Sequence, residues 1–416
     1  MASFTTELIP EKFHGAVLDW QKRNFPEMHL VTDHWEKYFK GQVPFQLHAR
    51  IGGAGATVEV GDYAGQAKFE QAGTMRGNMF YSARDIIRAQ CSTEFGSIQQ
   101  HRLTLDGAFS DQSKYDTLRI MAEELRHAYQ MFWVLAHDPS WKKLGMGDVA
   151  QETMDELLAM QTGSHVLDAF NIVFNEFADN VIFASIIDLV GKYQLEMQKI
   201  FTYAPMARSM PPMLSEEGFH LASGRRNFKE VALRAARGEY AGGLTHVQKI
   251  FNQWYPRGLE MFGSETGGAT VMQFGFKDKP NATAQGEYMA EVRDMVIEPI
   301  NIGLVQQKLP GTAVEKAREI LWQAREAGDY PKGLEPKDLL TVPANTFFRK
   351  RGMAEWIYQP YDTAGRLMTE GGKPIPPKAY ADYLKTVLPA KFTASEEFTK
   401  YCREAEEHRG AAAKAW

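Results

Sequence analysis

Apolar residues recur at helical spacing through most of this chain. The clearest run lies near position 120, where Ile120, Met121, Ala128, Met131 and Leu135 share one stripe while Arg119, Glu123, Arg126 and Gln130 follow a polar one. The same periodicity predicts helices over 76–102, 113–137, 154–201 (broken or bent near Gly163 and again near Gly191), 212–225, 227–238 and 245–261. Two more fall within 284–327, separated at Pro310-Gly311. Asp106-Gly107 and Asp111-Gln112-Ser113 break and restart the first pair, so these two helices are expected to be antiparallel neighbours. Asp138-Pro139-Ser140 closes the second helix. Residues 1–50 are expected to form short helices wrapping the bundle. The glycine-rich 52–62 leads into an alternating Val58-Glu59-Val60 and predicts a hairpin or loop. An irregular arm is expected over 331–378, and a charged amphipathic helix over 395–408. The fold class is all-α.

Some charges interrupt the apolar stripes. Glu124 and His127, three residues apart, project from one helical face toward the core, an expensive place for a carboxylate. The same Glu-Glu-x-x-His pattern returns at Glu216, Glu217 and His220. Upstream of each copy stands one more acid in apolar company. Glu94 shares a stripe with Ile87, Cys91 and Ile98, and Asp188 is the one charge in the run 181–190. Glu94 precedes Glu124 by 30 residues and Asp188 precedes Glu217 by 29, while Glu94 and Asp188 lie 94 apart and His127 and His220 lie 93 apart. Such matched intervals imply two helical hairpins that rise, turn and descend to one level.

Four facing helices would then bring together four carboxylates and two imidazoles, a set that core packing does not reward. Two divalent cations would neutralise it. The arrangement is similar to ferritin-like di-metal bundles, in which two helices each give a carboxylate and two others each give a Glu-x-x-His. Oxygen and imidazole donors without thiolate favour iron or manganese over a closed zinc site. Glu176 and Asp179 point away from the Asp188 face on an ideal helix, and His137 and His165 read as capping or surface histidines.

The segments around Glu94, 123–127, 188–195 and 216–220 resemble the oxygenase component of benzoyl-CoA 2,3-epoxidase and, more distantly, the catalytic subunit of phenylacetyl-CoA epoxidase. The likeness extends to 259–265 and 342–349 and covers roughly residues 75 to 400. It implies that Glu94, Glu124, His127, Asp188, Glu217 and His220 are the catalytic ligands of two iron ions. It also implies that dioxygen is the co-substrate and that one oxygen atom is inserted into an aromatic ring held as a coenzyme A thioester. Two further readings stay open: a di-iron oxygenase acting on a non-CoA aromatic or amine, and a ferritin-like iron-binding subunit without turnover. Pro211-Pro212 depart from the pattern, since proline interrupts a helix; either the fourth metal helix starts there or it kinks beside the metals.

The chain of 416 residues carries a net charge of −5, with 44% hydrophobic and 24% charged residues. That balance suits a folded globular protein and disfavours nonspecific nucleic-acid binding. The two cysteines, Cys91 and Cys402, form neither a disulfide framework nor an iron–sulfur motif. With no dinucleotide fingerprint either, electrons from NADPH are expected through a separate reductase partner. A cytoplasmic location is expected, because neither a leader-like start nor a membrane-length apolar run is present. The expected organisation is an N-terminal wrapping segment (1–75), a ferritin-like di-iron bundle (76–240) and a C-terminal helical extension (241–416). Glu123, Glu216 and Arg126 are candidates to surround the ligands, and the glycines of 263–270 with Lys277 and Lys279 suggest a phosphate-holding loop or a plain turn.

Overall fold

The computed structural model describes residues 9–31, 50–142, 147–160, 165–263, 265–327, 330–343, 360–364, 366–387 and 400. Trp35, Tyr38, Phe39, Cys402, most of 342–349 and nearly all of the expected 395–408 helix lie outside them. The fold is all-α. Its helices, in chain order, are α1 (His14–Asn24), α2 (Asn78–Arg102), α3 (Asp111–Ala136), α4 (Val149–Ala159), α5 (Phe177–Gln198), α6 (Ala204–Ala236), α7 (Gly243–Glu260), α8 (Glu265–Gln273), α9 (Asn281–Glu291), α10 (Glu298–Lys308) and α11 (Val314–Ala327). One π-helical stretch, Val292–Ile297, joins α9 to α10 just before Pro299. These helices belong to the compact unit Met1–Trp356; the unit Ile357–Trp416 contains an antiparallel pair, β1 (Thr369–Glu370) and β2 (Lys373–Pro374), and α12 (Pro377–Val387).

Four helices make the centre. α2 packs on α3, α5 packs on α6, and α3 packs on α6. The α2–α3 hairpin closes through a short turn, and the Ser110 and Ser113 side chains cap the start of α3 reciprocally. α2 and α5 run antiparallel with few direct contacts, their ends tied where His101 Nδ1 meets Asn180 Oδ1 at 2.9 Å. One apolar core lies around α2 and α3, with Trp20 of α1 edge-on to Phe95; the other joins α5 and α6 to α7, α9 and α10. Gly224 sits where α5 and α6 touch, since a Cβ there would meet the Ala184 carbonyl carbon at 2.6 Å.

Two helix boundaries differ from the periodicity. The stretch expected to be helical over 154–201, broken or bent near Gly163, forms α4 and α5, and the interruption runs from Ala159 to Phe177, with Gly163 itself outside the described residues. Asn171 bonds both the N–H and the C=O of His165, while the Asp179 carboxylate accepts the N–H groups of Asn175 and Glu176, so α5 is capped before it can extend backward. Gly191 causes no break. The fourth helix neither starts at Pro212 nor pauses near position 226; α6 runs unbroken from Ala204 to Ala236 with both prolines inside it.

A neighbouring segment accommodates the prolines. Pro212 has no N–H for the carbonyl of Arg208, four residues earlier. The N–H of Gly52 donates to that carbonyl instead, at 2.7 Å. Glycine suits this close approach, because a Cβ at position 52 would stand 3.0 Å from Pro211 Cβ and 3.1 Å from Pro212 Cδ and would crowd both rings. The loop expected at 52–62 is present, with a lone bridge between Thr57 and Ala67, and its first glycine splints the helix that carries Glu217.

Candidate metal centre

All six sequence-selected side chains converge at mid-height of the bundle. Glu94 comes from α2, Glu124 and His127 from α3, Asp188 from α5, and Glu217 and His220 from α6; every one is buried. Donor atoms of Glu94, Glu124 and His127 lie within 4.8 Å of one another, as do those of Glu124, Asp188 and His220. Glu124 is common to both sets. Glu217 spans the two imidazoles, with Oε1 3.7 Å from His127 Nδ1 and Oε2 3.5 Å from His220 Nδ1. Glu94 stands 3.6 Å from His127 Nδ1, and Asp188 stands 3.9 Å from His220 Nδ1. The geometry therefore has two shared carboxylates, Glu124 and Glu217, flanked by Glu94 on one side and Asp188 on the other.

The doubled glutamates have a structural reason. Each first glutamate crosses to the histidine of the opposite motif: His127 Nε2 meets Glu216 Oε2 at 2.8 Å, and His220 Nε2 meets Glu123 Oε2 at 3.1 Å. An ionised carboxylate only accepts, so each Nε2 donates and each Nδ1 faces the centre. Both Nδ1 atoms, Asp188 Oδ2 and Glu217 Oε2 have no hydrogen-bond partner among the described residues. Orphaned donors and acceptors of this kind are costly in a dry interior unless something binds them. The residues present fit a pair of cations with oxygen and nitrogen ligands.

Electrostatics separates an inner from an outer set. Glu216 is paired with Arg126 and Arg50, and Glu123 with Arg119 at 2.9 Å, so guanidinium charge already balances the outer carboxylates. Among the described residues, the four inner carboxylates have no guanidinium partner. Burial, then the charge of Glu94, pushes the Glu124 carboxyl well above its usual range, and burial with the Glu217 charge does the same to Asp188. For His127 burial is outweighed by the hydrogen bond to Glu216 and the nearby charge of Glu94, which raise it to about 8. His220 is raised as well, burial being outweighed by the charge of Glu217 and the hydrogen bond to Glu123. This interior draws positive charge.

Some expectations need correction. The polar stripe of α3 includes buried residues, Glu123, Arg126 and Gln130 lying against α6 and the 50–52 segment, with Gln130 accepting from the Arg50 N–H and donating to Ser209. Residues 265–273 form helix α8 rather than a phosphate-holding loop or a plain turn, and Lys279 pairs with Glu287. Arg50 was not picked out by periodicity, because its place depends on a distant segment, and Lys277, singled out as a possible phosphate ligand, instead donates to Gln194 and Asn281; the repeated Glu-Glu pair was the available signal for Glu123 and Glu216. Glu176 accepts from Tyr240 and His246, and Asp179 from Trp254 at 2.9 Å, so neither joins the cluster. His137 caps α3, and His165 bonds Ser92 at 2.8 Å.

A cavity of about 350 Å³ lies beside the cluster, between α2 and α5 and under α8. Its wall includes Glu94, Glu124, Asp188 and Glu217 next to Phe170, Phe183 and Ile187. That combination places an apolar chamber in contact with the acidic centre.

Comparison with known proteins finds a distant relationship. The chain is 27% identical over 243 residues to benzoyl-CoA oxygenase component B from Aromatoleum evansii, an alignment covering 53% of this chain and 49% of that protein. It thus spans about half the length of the curated relative it matches. No family model matches the chain. No described helix is long and apolar enough to cross a membrane.

Proposed function

We propose that this chain is the oxygen-activating component of a multicomponent oxygenase, inserting oxygen into an aromatic ring presented as an acyl group, with coenzyme A thioesters the first substrates to test. The observation that carries this reading is the apolar cavity bounded by the carboxylates of a cluster whose imidazole Nδ1 atoms are unpartnered. Such a chamber suits an organic substrate better than an iron store does. The likeness to a component B of an oxygenase supports both the oxygenase chemistry and a role as one component among several. Electrons from NADPH through a separate reductase belong to the same proposal.

Glu94, Glu124, His127, Asp188, Glu217 and His220 would hold two iron ions, which when reduced supply a place for dioxygen to bind and accept electrons. The protein's own contribution is positional. Glu216 and Glu123 hold the two imidazoles with Nδ1 inward, and Arg126 and Arg119 hold those glutamates in turn. Phe170, Phe183 and Ile187 exclude water from the face where a ring would lie.

The test is metal content and dioxygen uptake. The purified chain is expected to bind two irons, and a reductant with benzoyl-CoA is expected to stimulate uptake beyond the substrate-free rate. Glu124→Gln is expected to lose about one iron while keeping its helical circular dichroism. An unchanged iron content in Glu124→Gln counts against its assignment, and uptake indifferent to every aromatic acyl probe counts against the oxygenase reading.

A further inference from the structure

The cavity has a second chemical end. Lys277, in the turn between α8 and α9, reaches into it together with Gln194 and Asn281. The turn is fixed: Thr202 Oγ1 donates to the carbonyls of Phe274 and Gly275, and the Phe276 ring stacks on Phe201 with centroids 4.1 Å apart. Lys277 is only 8% exposed. Its ammonium donates to Gln194 Oε1 at 2.7 Å and Asn281 Oδ1 at 3.2 Å, both neutral amide oxygens. Burial without a charged partner lowers the lysine to about 8, so the cation persists near neutrality.

Two further polar atoms at this end lack partners among the described residues: Gln194 Nε2 and, on the buried Gln198, Oε1. A buried cation held by amides alone is a costly element that packing does not explain. Gln194 lies six residues beyond Asp188 on α5, which separates the two ends by about 9 Å along the helix axis. A benzoyl-sized group fits such a span, its oxygen at one end and its ring edge at the other.

We propose that Lys277, with Gln194 beside it, binds the acyl oxygen of the aromatic substrate, a carboxylate or a thioester carbonyl, and so determines which part of the ring faces Glu124 and Glu217. The anchor rests on the proposed aromatic substrate, but its occupancy needs no turnover. A carboxylate oxygen would pair with the ammonium, and a thioester oxygen would accept a charge-assisted hydrogen bond from it.

The experiment compares the full-length wild type with Lys277→Met and Lys277→Arg by calorimetric titration, using benzoate, benzoyl-CoA and ethylbenzene, whose ring carries no oxygen. Lys277→Met is expected to weaken whichever acyl probe binds the wild type by about tenfold or more, to leave ethylbenzene unchanged and to raise the melting temperature by removing a buried charge. Lys277→Arg is expected to restore most of the acyl affinity. Benzoate binding alone identifies a free acid as the ligand, and benzoyl-CoA binding alone identifies a thioester. Equal acyl affinity in Lys277→Met and wild type overturns the anchor, as does a wild type that binds neither acyl probe. Iron content and dioxygen uptake of the same preparations judge the oxygenase reading separately.

Discussion

Glu216 and Glu123 perform the same task on opposite imidazoles, yet they stand in different company. Glu216 faces Arg126, which is fully buried, as well as Arg50, whereas Glu123 faces the partly exposed Arg119, itself stacked on Phe219 with 3.7 Å from guanidinium carbon to ring centroid. Glu216→Gln would leave the buried Arg126 without its counter-charge, at a cost of about 3–5 kcal/mol. Glu123→Gln leaves a cation that water still reaches, so its cost is expected to be clearly smaller. Both variants loosen the orientation of a histidine of the proposed metal cluster and are expected to lower iron affinity by roughly 10–100-fold. Urea midpoints and iron titrations of the two proteins check this; equal midpoints would show that the asymmetry of their arginine partners has no energetic weight. The residues themselves were legible as a doubled Glu-Glu. Their crossing was not, since which imidazole each reaches depends on how α3 meets α6.

At the scale of elements, the Pro211-Pro212 pair shows where periodicity stops being informative. Intrinsic propensity ends a helix there, but α6 continues because a separate segment supplies the hydrogen bond that Pro212 cannot. Gly52→Ala is expected to push that segment away from the prolines by a few tenths of an ångström and to cost about 1–3 kcal/mol. Because residue 50 lies in the same stretch and pairs with Glu216, the variant is also expected to bind iron more weakly. A urea midpoint equal to that of the wild type would remove the splint from the account. The interruption between α4 and α5 extends well past Gly163 for a related reason: the side chains of Asn171 and Asp179 compete for backbone groups, and such local competition does not alter apolar spacing.

For the whole molecule, the antiparallel meeting of α2 with α5 sets both the cavity and a pH dependence. His101 is buried, its Nδ1 bound to Asn180 and its ring edge-on to Phe174 and Phe183. Burial lowers it to about 4, the Asn180 hydrogen bond opposing only in part. Between its unfolded value near 6.5 and this folded value, the unfolded chain binds the extra proton, so stability falls as pH drops through that window and is complete above it. The slope from this one group approaches about 1.4 kcal/mol per pH unit. His101→Gln, which keeps a donor for Asn180 but does not titrate, is expected to lose less stability than the wild type between pH 6.5 and 4.5 in urea unfolding. Parallel losses would assign the acid sensitivity to other groups.

What the sequence determined by itself was the helical class, the two matched hairpins and the six donors, because helix period and chain interval fix which side chains share a face and a level. Tertiary structure alone decided the rest. Arg50, Gly52 and Lys277 bond to groups more than 80 positions away in the chain, and no local pattern encodes which distant groups will meet. The cavity likewise belongs to no segment, arising where α2 and α5 stand apart beneath α8, with acid at one end and a buried cation at the other.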